Sequence, residues 1–509
     1  MDKKVIRILF SFLMFITISR SFGAPSFPMA LKSSCFIDEK SHEATTFDPL
    51  YDEQLVEYEK QFAVYLKQVQ KSPKNPPRRA PVPPVSKISD EKLPIASVSK
   101  IFTALMATTK FQLGKAPFAT QFFIQEVSPG RFNVHIKGSN DPYFNKYKMH
   151  QAISMLNKFG ISTVELLTFD ENVKFLSDTD SKGGFWSAGK AITPLTLKAE
   201  IDFPTPDVVK PQFQEFWKLT REYSDTFKAA NSVHLKGIVM VNNPKFSVKK
   251  VEFLSSRDFT QVNARSFYVE SQQMSTMLKM MNWNSNNYSA NRIYAAAGGE
   301  SYFRELFYTN YKNTEANLTF VNGSGQNHNL NGGEDRIYNQ ATCSAVVKAI
   351  RALNKTVVGQ RKKLTDVMSV VGLDVDSTVG GKVYSNELTT GKVVAKTGTV
   401  CTNVTLAGAI NTAAGYRFFM FNVDLGSASR TASDAVCTTL AVRGRKIISE
   451  QLNALVEATA KTFEVIPLAY KSNAALFKQY GFENYDEDLA EGPKPPPIRF
   501  SLKTAVRIQ

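Results

Sequence analysis

Two serines and two lysines whose chemistry requires one another stand far apart in this chain of 509 residues: Ser97 with Lys100 three positions on, Ser285 with Asn287 two positions on, and Lys396 at the head of Lys396-Thr397-Gly398-Thr399. Acyl transfer through a serine needs a nucleophile, a base, donors for the developing oxyanion and a route for protonating the leaving amine. Histidine usually supplies the base. Here the five histidines, His42, His135, His150, His234 and His328, show no triad context, and no Gly-x-Ser-x-Gly elbow surrounds any serine. A lysine does this work when burial and a second cation destabilise its ammonium and lower its pKa toward neutrality. Lys100, one helical turn from Ser97, is the candidate base, and Lys396 brings the second positive charge if its strand runs beside that helix. Ser285 can then relay a proton between Lys100 and the leaving nitrogen, Asn287 can donate to a substrate peptide, and the backbone N–H groups of Ser97 and Thr399 can bind the oxyanion. On this reading Ser97, Lys100 and Ser285 are catalytic, while Asn287, Lys396, Thr397, Gly398 and Thr399 bind substrate.

Each pattern alone carries little. Ser-x-x-Lys recurs at Ser89/Lys92, Ser187/Lys190 and Ser247/Lys250. Lys100 by itself reads as a helix-surface charge, and Ser285 and Asn287 as plain loop residues. Order along the chain and the surrounding elements carry the inference.

Those elements follow from periodicity. Pro94 just upstream and the shared face of Ile101, Ala104, Leu105 and Thr108 predict a buried central helix starting at Ser97. Residues Tyr268 to Gly299 read as helical, with Met274, Leu278 and Met281 on one face before a turn at Ser285. From Val393 to Val423 two strands alternate around a turn at Asn411 to Gly415, and a long helix follows from about Ser433 to Val456. Pro117 to Ala264 mixes strand-like runs such as Phe132 to Ile136 with a helix near Lys148 to Phe159 and contains neither the second nor the third catalytic pattern, which predicts an inserted domain. Nearer the start, Asp52 to Gln61 has helical spacing, Phe62 to Val69 alternates like a strand, and Ser72 to Pro84, with six prolines, reads as an extended loop. After Glu464 the chain is mixed, and Gly492 to Pro497 predicts an extended stretch that either straps the body or binds something else.

Composition bounds the setting. An apolar content of 43% and a charged content of 21% are those of a folded protein. Lys3, Lys4 and Arg7 ahead of the apolar run Ile8 to Ile18, then small residues at Ser21 to Gly23, read as a secretory signal over residues 1–23, which places the protein in the periplasm. No later run reaches the length of a bilayer span, so no stable membrane span is expected. Without residues 1–23 the formal charge falls from +16 to +13. Such a basic chain is drawn to anionic lipid or an anionic cell wall, and no nucleic-acid module is present. Cys35, Cys343, Cys401 and Cys437 form no Cys-x-x-Cys pair, which argues against zinc; a Cys401–Cys437 disulfide and free buried thiols both remain open.

With these residues in view, the chain resembles the class C low-molecular-mass penicillin-binding proteins, the D-alanyl-D-alanine carboxypeptidase/endopeptidase family. Pro94-Ile95-Ala96-Ser97-Val98-Ser99-Lys100 is similar to the family's nucleophile segment, Met281 to Asn287 to its second segment, and Ala395-Lys396-Thr397-Gly398-Thr399 followed by Leu406-Ala407-Gly408 to its third. Lys137-Gly138-Ser139-Asn140-Asp141-Pro142 resembles a loop of the family's second domain, and Asn322-Gly323-Ser324-Gly325 a turn ahead of the third motif. The resemblance implies an α/β (α+β) penicillin-binding transpeptidase-like domain, an antiparallel sheet flanked by helices, with an inserted smaller, mainly β domain. Its implied division is a catalytic domain at 24–116 and 265–463, an inserted domain at 117–264 and a C-terminal extension at 464–509. Ser97 lies 188 positions before Ser285, and Ser285 lies 111 before Lys396, a first gap too short for relatives with a further inserted domain. The resemblance further implies cleavage of D-Ala-D-Ala stem peptides or of D-Ala-diaminopimelate cross-links of peptidoglycan through an acyl-enzyme, acylation by beta-lactams, and no metal or cofactor. Asn286 departs from the family's usual aspartate, and Gly184-Phe185-Trp186-Ser187 only loosely matches the region where relatives place an acid for the diaminopimelate amine. The rival expectation is a cell-wall peptide-binding protein that keeps the fold without turnover.

Overall fold

The computed structural model describes residues 29–49, 88–144, 146–173, 194–201, 245–260, 264–325, 337–426 and 434–470, with isolated helical positions between 54 and 64. The predicted leader, the Pro-rich loop at Ser72 to Pro84, the Gly184 to Ser187 stretch and Gly492 to Pro497 lie outside the described residues. No helix among the described residues is long and apolar enough to cross a membrane.

In chain order the elements begin with strands β1 (Ala30–Asp38), β2 (Thr45–Thr46) and β3 (Leu93–Pro94), then helix α1 (Ser99–Lys110). Next come β4 (Ala119–Ser128), β5 (Arg131–Lys137), α2 (Lys146–Lys158), β6 (Thr163–Phe169), α3 (Pro194–Ile201), β7 (Ser247–Phe253) and β8 (Arg265–Glu270). The remainder is α4 (Met274–Trp283), α5 (Asn287–Ala296), α6 (Gly299–Phe303), β9 (Leu318–Thr319), β10 (Gln340–Ala341), α7 (Cys343–Gly359), β11 (Ser369–Val370), β12 (Val393–Thr399), β13 (Asn403–Thr412), β14 (Gly415–Asp424) and α8 (Asp434–Ala460).

The main sheet runs β11-β12-β13-β14-β1-β2 and is antiparallel throughout. β13 and β14 are almost entirely buried because helices cover both faces, which is why their centres, Leu406 to Ile410 and Phe418 to Phe421, are continuous apolar runs rather than alternating ones. The period of two still sorts their side chains. Phe418 and Met420 join the core around α1 and α7, while Phe419, Phe421 and Val423 join the core under α8. α1 is buried on every side from Ser99 to Thr108, so it is the axis of the domain rather than an amphipathic surface helix.

Between the α1 and α4 segments lies a second sheet, β7-β6-β5-β4-β8, in which β4 pairs antiparallel with β5 and β8 while β5, β6 and β7 are parallel. Its core, with Phe122, Val134, Leu167 and Phe267, is closed by Met149, Ile153 and Leu156 of α2. Two consecutive residues join the cores: Tyr143 is buried in the cluster around α1, where its hydroxyl donates to the Met277 carbonyl at 3.3 Å, and Phe144 is buried in the cluster under the second sheet.

The cysteines pair as Cys35–Cys343, which ties β1 to the start of α7, and Cys401–Cys437, which ties the β12–β13 turn to α8. Several expectations need correction. Val393 to Val423 holds three strands, since the chain breaks at Val400 to Thr402, and Tyr268 belongs to β8 rather than to a helix. Ala63 and Val64, within the predicted Phe62 to Val69 strand, are helical. From Glu464 to Tyr470 the chain straps the main sheet, with backbone bonds from Ile466 to Asn411 and from Leu468 to Gly391.

Candidate active site

Ser97 sits in a 3-10 turn, Ala96–Val98, that feeds directly into α1. Ala96 is held at φ 46°, a left-handed conformation that an L-residue adopts only when its surroundings impose it. Those surroundings are dense. The Ile95 carbonyl accepts from Thr405 Oγ1, the Pro94 carbonyl accepts from Asn422 Nδ2, and the Ala96 carbonyl accepts from Ser99 Oγ at 2.6 Å. Gly398 on β12 brings the strand against this turn: a Cβ there would fall 2.6 Å from the Ile95 carbonyl oxygen and 2.2 Å from Thr405 Oγ1.

One turn along α1, the Lys100 ammonium is fully buried and donates to Ser97 Oγ at 2.9 Å, to Asn287 Oδ1 at 2.7 Å and to the Ser324 carbonyl at 3.0 Å. Ser97 itself is half-buried, so its hydroxyl is reachable while its partner amine is not. Burial, and then the charge of Lys396, hold the Lys100 pKa well below the usual lysine range.

Ser285 reaches the site because α4 ends there. Its φ is 53°, the left-handed position after a helix C-cap, and the Asn286 N–H bonds back to the Met281 carbonyl in the manner of a Schellman turn. Lys396, also fully buried, donates to Ser285 Oγ at 2.8 Å and to the Thr397 carbonyl at 2.7 Å; desolvation alone brings its pKa down to about 7. Asn286 caps α5 by accepting from the Ser289 N–H at 2.9 Å. Asparagine and aspartate cap equally well, so the substitution for the family's aspartate leaves the helix start intact and removes a negative charge between two lysine-bonded residues.

The structure therefore brings together Ser97, Lys100, Ser285, Asn287 and Lys396 in one linked network. Thr397, Gly398 and Thr399 follow on β12, with Thr397 half-buried and Thr399 exposed. Asn287 spends its side-chain oxygen on Lys100, which leaves its amide N–H groups as the donors available to a substrate. The carbonyl of Ser324 is a member that side-chain reasoning missed, because no residue type encodes a backbone acceptor. Its signal was the Asn322-Gly323-Ser324-Gly325 turn: Asn322 Oδ1 accepts from the Ser324 and Gly325 N–H groups, and a Cβ on Gly325 would lie 1.8 Å from the Ala96 carbonyl oxygen.

The fold, an α+β transpeptidase-like body with an inserted domain, is similar to that of the low-molecular-mass penicillin-binding proteins. Residues 259–442 match the model of the D-Ala-D-Ala carboxypeptidase 3 (S13) family, a range that contains Ser285 and Lys396 but not Ser97. Among solved structures, the chain is similar to the predatory peptidoglycan endopeptidase Bd3459 of Bdellovibrio bacteriovorus, at 23% identity and a TM-score of 0.62, over 87% of this chain and 96% of that one. The penicillin G acylated form of Bd3459, bound to the immunity protein Bd3460, matches with a TM-score of 0.63, as does the predatory endopeptidase Bd0816 of the same organism in complex with Bd3460; both are 23% identical, over 87% of this chain and 96% of theirs. At that identity the likeness speaks for the fold. No curated protein matches the chain.

Proposed function

We propose that this protein is a serine DD-peptidase that cleaves D-Ala-D-Ala stem peptides or D-Ala-diaminopimelate cross-links of peptidoglycan through an acyl-enzyme on Ser97. The observation that carries the reading is the 2.9 Å hydrogen bond between Ser97 Oγ and a fully buried Lys100 whose pKa is driven down by burial and by Lys396. A neutral Lys100 takes the Ser97 proton as Oγ attacks the carbonyl of the penultimate D-Ala. The N–H groups of Ser97 and Thr399 receive the oxyanion. Ser285, bonded to Lys396, relays to the leaving amine the proton that Lys100 took from Ser97, and water then resolves the ester. Asn287 and the third-motif residues Lys396, Thr397, Gly398 and Thr399 hold the substrate peptide.

Bd3459 is described as a peptidoglycan endopeptidase and as acylated by penicillin G, which supports extending both properties to this chain. The periplasm is the proposed location, since two disulfides suit an oxidising compartment and the leader-like start suits export. The catalytic domain is assigned to 24–116 and 265–463 and the inserted domain to 117–264.

A labelled penicillin tests the reading. The native protein is expected to gain one covalent adduct that Ser97→Ala abolishes; equal labelling of both, or none of a folded native protein, refutes it. A digest of purified muropeptides analysed by mass spectrometry then separates release of D-Ala from cleavage of cross-links.

A further inference from the structure

The Ser285–Lys396 bond spans the turn after α4 and the strand β12, so it depends on what holds that helix end against that strand. Both are fastened to one stretch of chain, Thr365 to Thr378. Within it β11 pairs with β12 and sets Ser369 opposite Ala395, the residue before Lys396. The end of α4 is bound to the same stretch through three residues. Lys279 Nζ donates to the carbonyls of Thr365 at 3.1 Å and Met368 at 2.6 Å, Asn282 Nδ2 donates to the Val367 carbonyl at 2.7 Å, and the Trp283 carbonyl accepts from the Thr378 N–H at 3.1 Å. These ties converge on Asp374. Its Oδ2 accepts from the Val370 N–H of β11 at 2.7 Å and from Lys279 in a buried ion pair, and its Oδ1 accepts at 2.6 Å from the hydroxyl of Tyr470, in the C-terminal strap. The Tyr470 ring also lies against the Lys279 ammonium, 4.6 Å from the ring centre. A buried ion pair fixes geometry only when its remaining lone pairs are satisfied, and the tyrosine hydroxyl satisfies the carboxylate oxygen that Lys279 does not.

We propose that Tyr470 is a positioning residue for proton delivery to the leaving amine: through Asp374 and Lys279 its hydroxyl sets the end of α4 against β12 and so holds Ser285 on Lys396. This rests on the peptidase reading above and deepens it. Tyr470 touches neither substrate nor a reacting atom. When its hydroxyl is absent, Asp374 Oδ1 loses its donor, the carboxylate and Lys279 rearrange together, and the α4 end carries Ser285 with it. Proton transfer suffers first, because a proton donor works only within hydrogen-bond reach of the atom it serves, whereas Ser97 and Lys100 are set by α1 and keep their own contact. The strap from Glu464 to Tyr470 is thereby a working part of the catalytic body rather than a trailing end.

The test compares kcat/KM of the full-length protein for two substrates: a peptide carrying the D-alanyl bond that the muropeptide digest shows to be cleaved, and its thioester analogue, in which sulfur replaces the scissile nitrogen. The nitrogen must take up a proton as the C–N bond breaks, while a thiolate leaves without one. Tyr470→Phe, which keeps the ring and removes the hydroxyl, is expected to lower kcat/KM for the amide about 10-fold and to leave the thioester unchanged. Tyr470→Leu, which also takes the ring away from Lys279, is expected to lower the amide value further, to about 100-fold, with the thioester again unchanged. If the thioester slows as much as the amide, or neither changes, Tyr470 only supports the fold and the inference is overturned. A digest in which the folded native protein cleaves no D-alanyl bond refutes the peptidase reading itself, a result separate from any difference between the two substrates.

Discussion

Ser285 shows how a single residue serves geometry against its own preference. At φ 53° a serine is held where glycine is the usual occupant, and the gain is that its hydroxyl is delivered to Lys396. Ser285→Gly is expected to lose peptidase activity yet to be about 1 kcal/mol more stable than Ser285→Ala, which keeps the strained backbone and drops the hydroxyl; paired denaturant titrations check this. The two lysines set the pH dependence. On the proposed mechanism activity is expected to rise as Lys100 loses its proton, which burial and Lys396 make easier than in water, and to fall through about pH 7 as Lys396 loses its charge. The profile of penicillin acylation is therefore expected to be a bell with its alkaline limb near neutrality. Lys396→Arg, which keeps its charge to far higher pH, is expected to move that limb upward, and a limb left in place would assign it to another group. At this scale the sequence was most legible, because serine, lysine and asparagine at fixed spacings constrain the chemistry. Ser324 was not, since its contribution is a carbonyl.

Among elements, the site is a meeting of three: the start of α1, the α4–α5 turn and β12, held together by glycines that carry no side chain because other backbone occupies the space. Gly325, at φ 73°, packs against the Ala96 carbonyl that precedes the nucleophile. Gly325→Ala is expected to displace the Ser97 turn and slow penicillin acylation roughly 100-fold, the effect of about 1 Å of misplacement at a reacting atom, while stopped-flow binding of a non-acylating peptide changes far less. The helices could be read from periodicity, and the long apolar run at 393–423 was recognisable as strand. Its division was not. Val400-Cys401-Thr402 contains neither glycine nor proline, so the break after β12 leaves no local mark, and the turn is closed by reciprocal backbone bonds between Val400 and Asn403, with Cys401 tied to Cys437. In the same way Tyr268 was absorbed into the following helix because β8 is short and its pairing with β4 is visible only in three dimensions.

For the molecule as a whole, the disulfide between Cys35 and Cys343 closes a separation of 308 residues, and nothing in the local sequence of either cysteine points to the other. Long-range pairing of this kind comes from the sheet order, in which β1 lies beside β14, the first and last strands among the described residues. The insertion of a second sheet between α1 and α4 could be expected from the length of the first gap and the absence of the second and third catalytic patterns within it. How the two bodies are joined could not, because Tyr143 and Phe144 look like any aromatic pair in a loop.

That pair has a mechanical meaning. Neighbouring peptide units anchor one ring in each core, so melting of either lobe strains an aromatic side chain held by the other, and the two are expected to share a single cooperative transition. Scanning calorimetry is expected to give one endotherm for the native chain and two for Tyr143→Ala, in which that tether between the lobes has been cut.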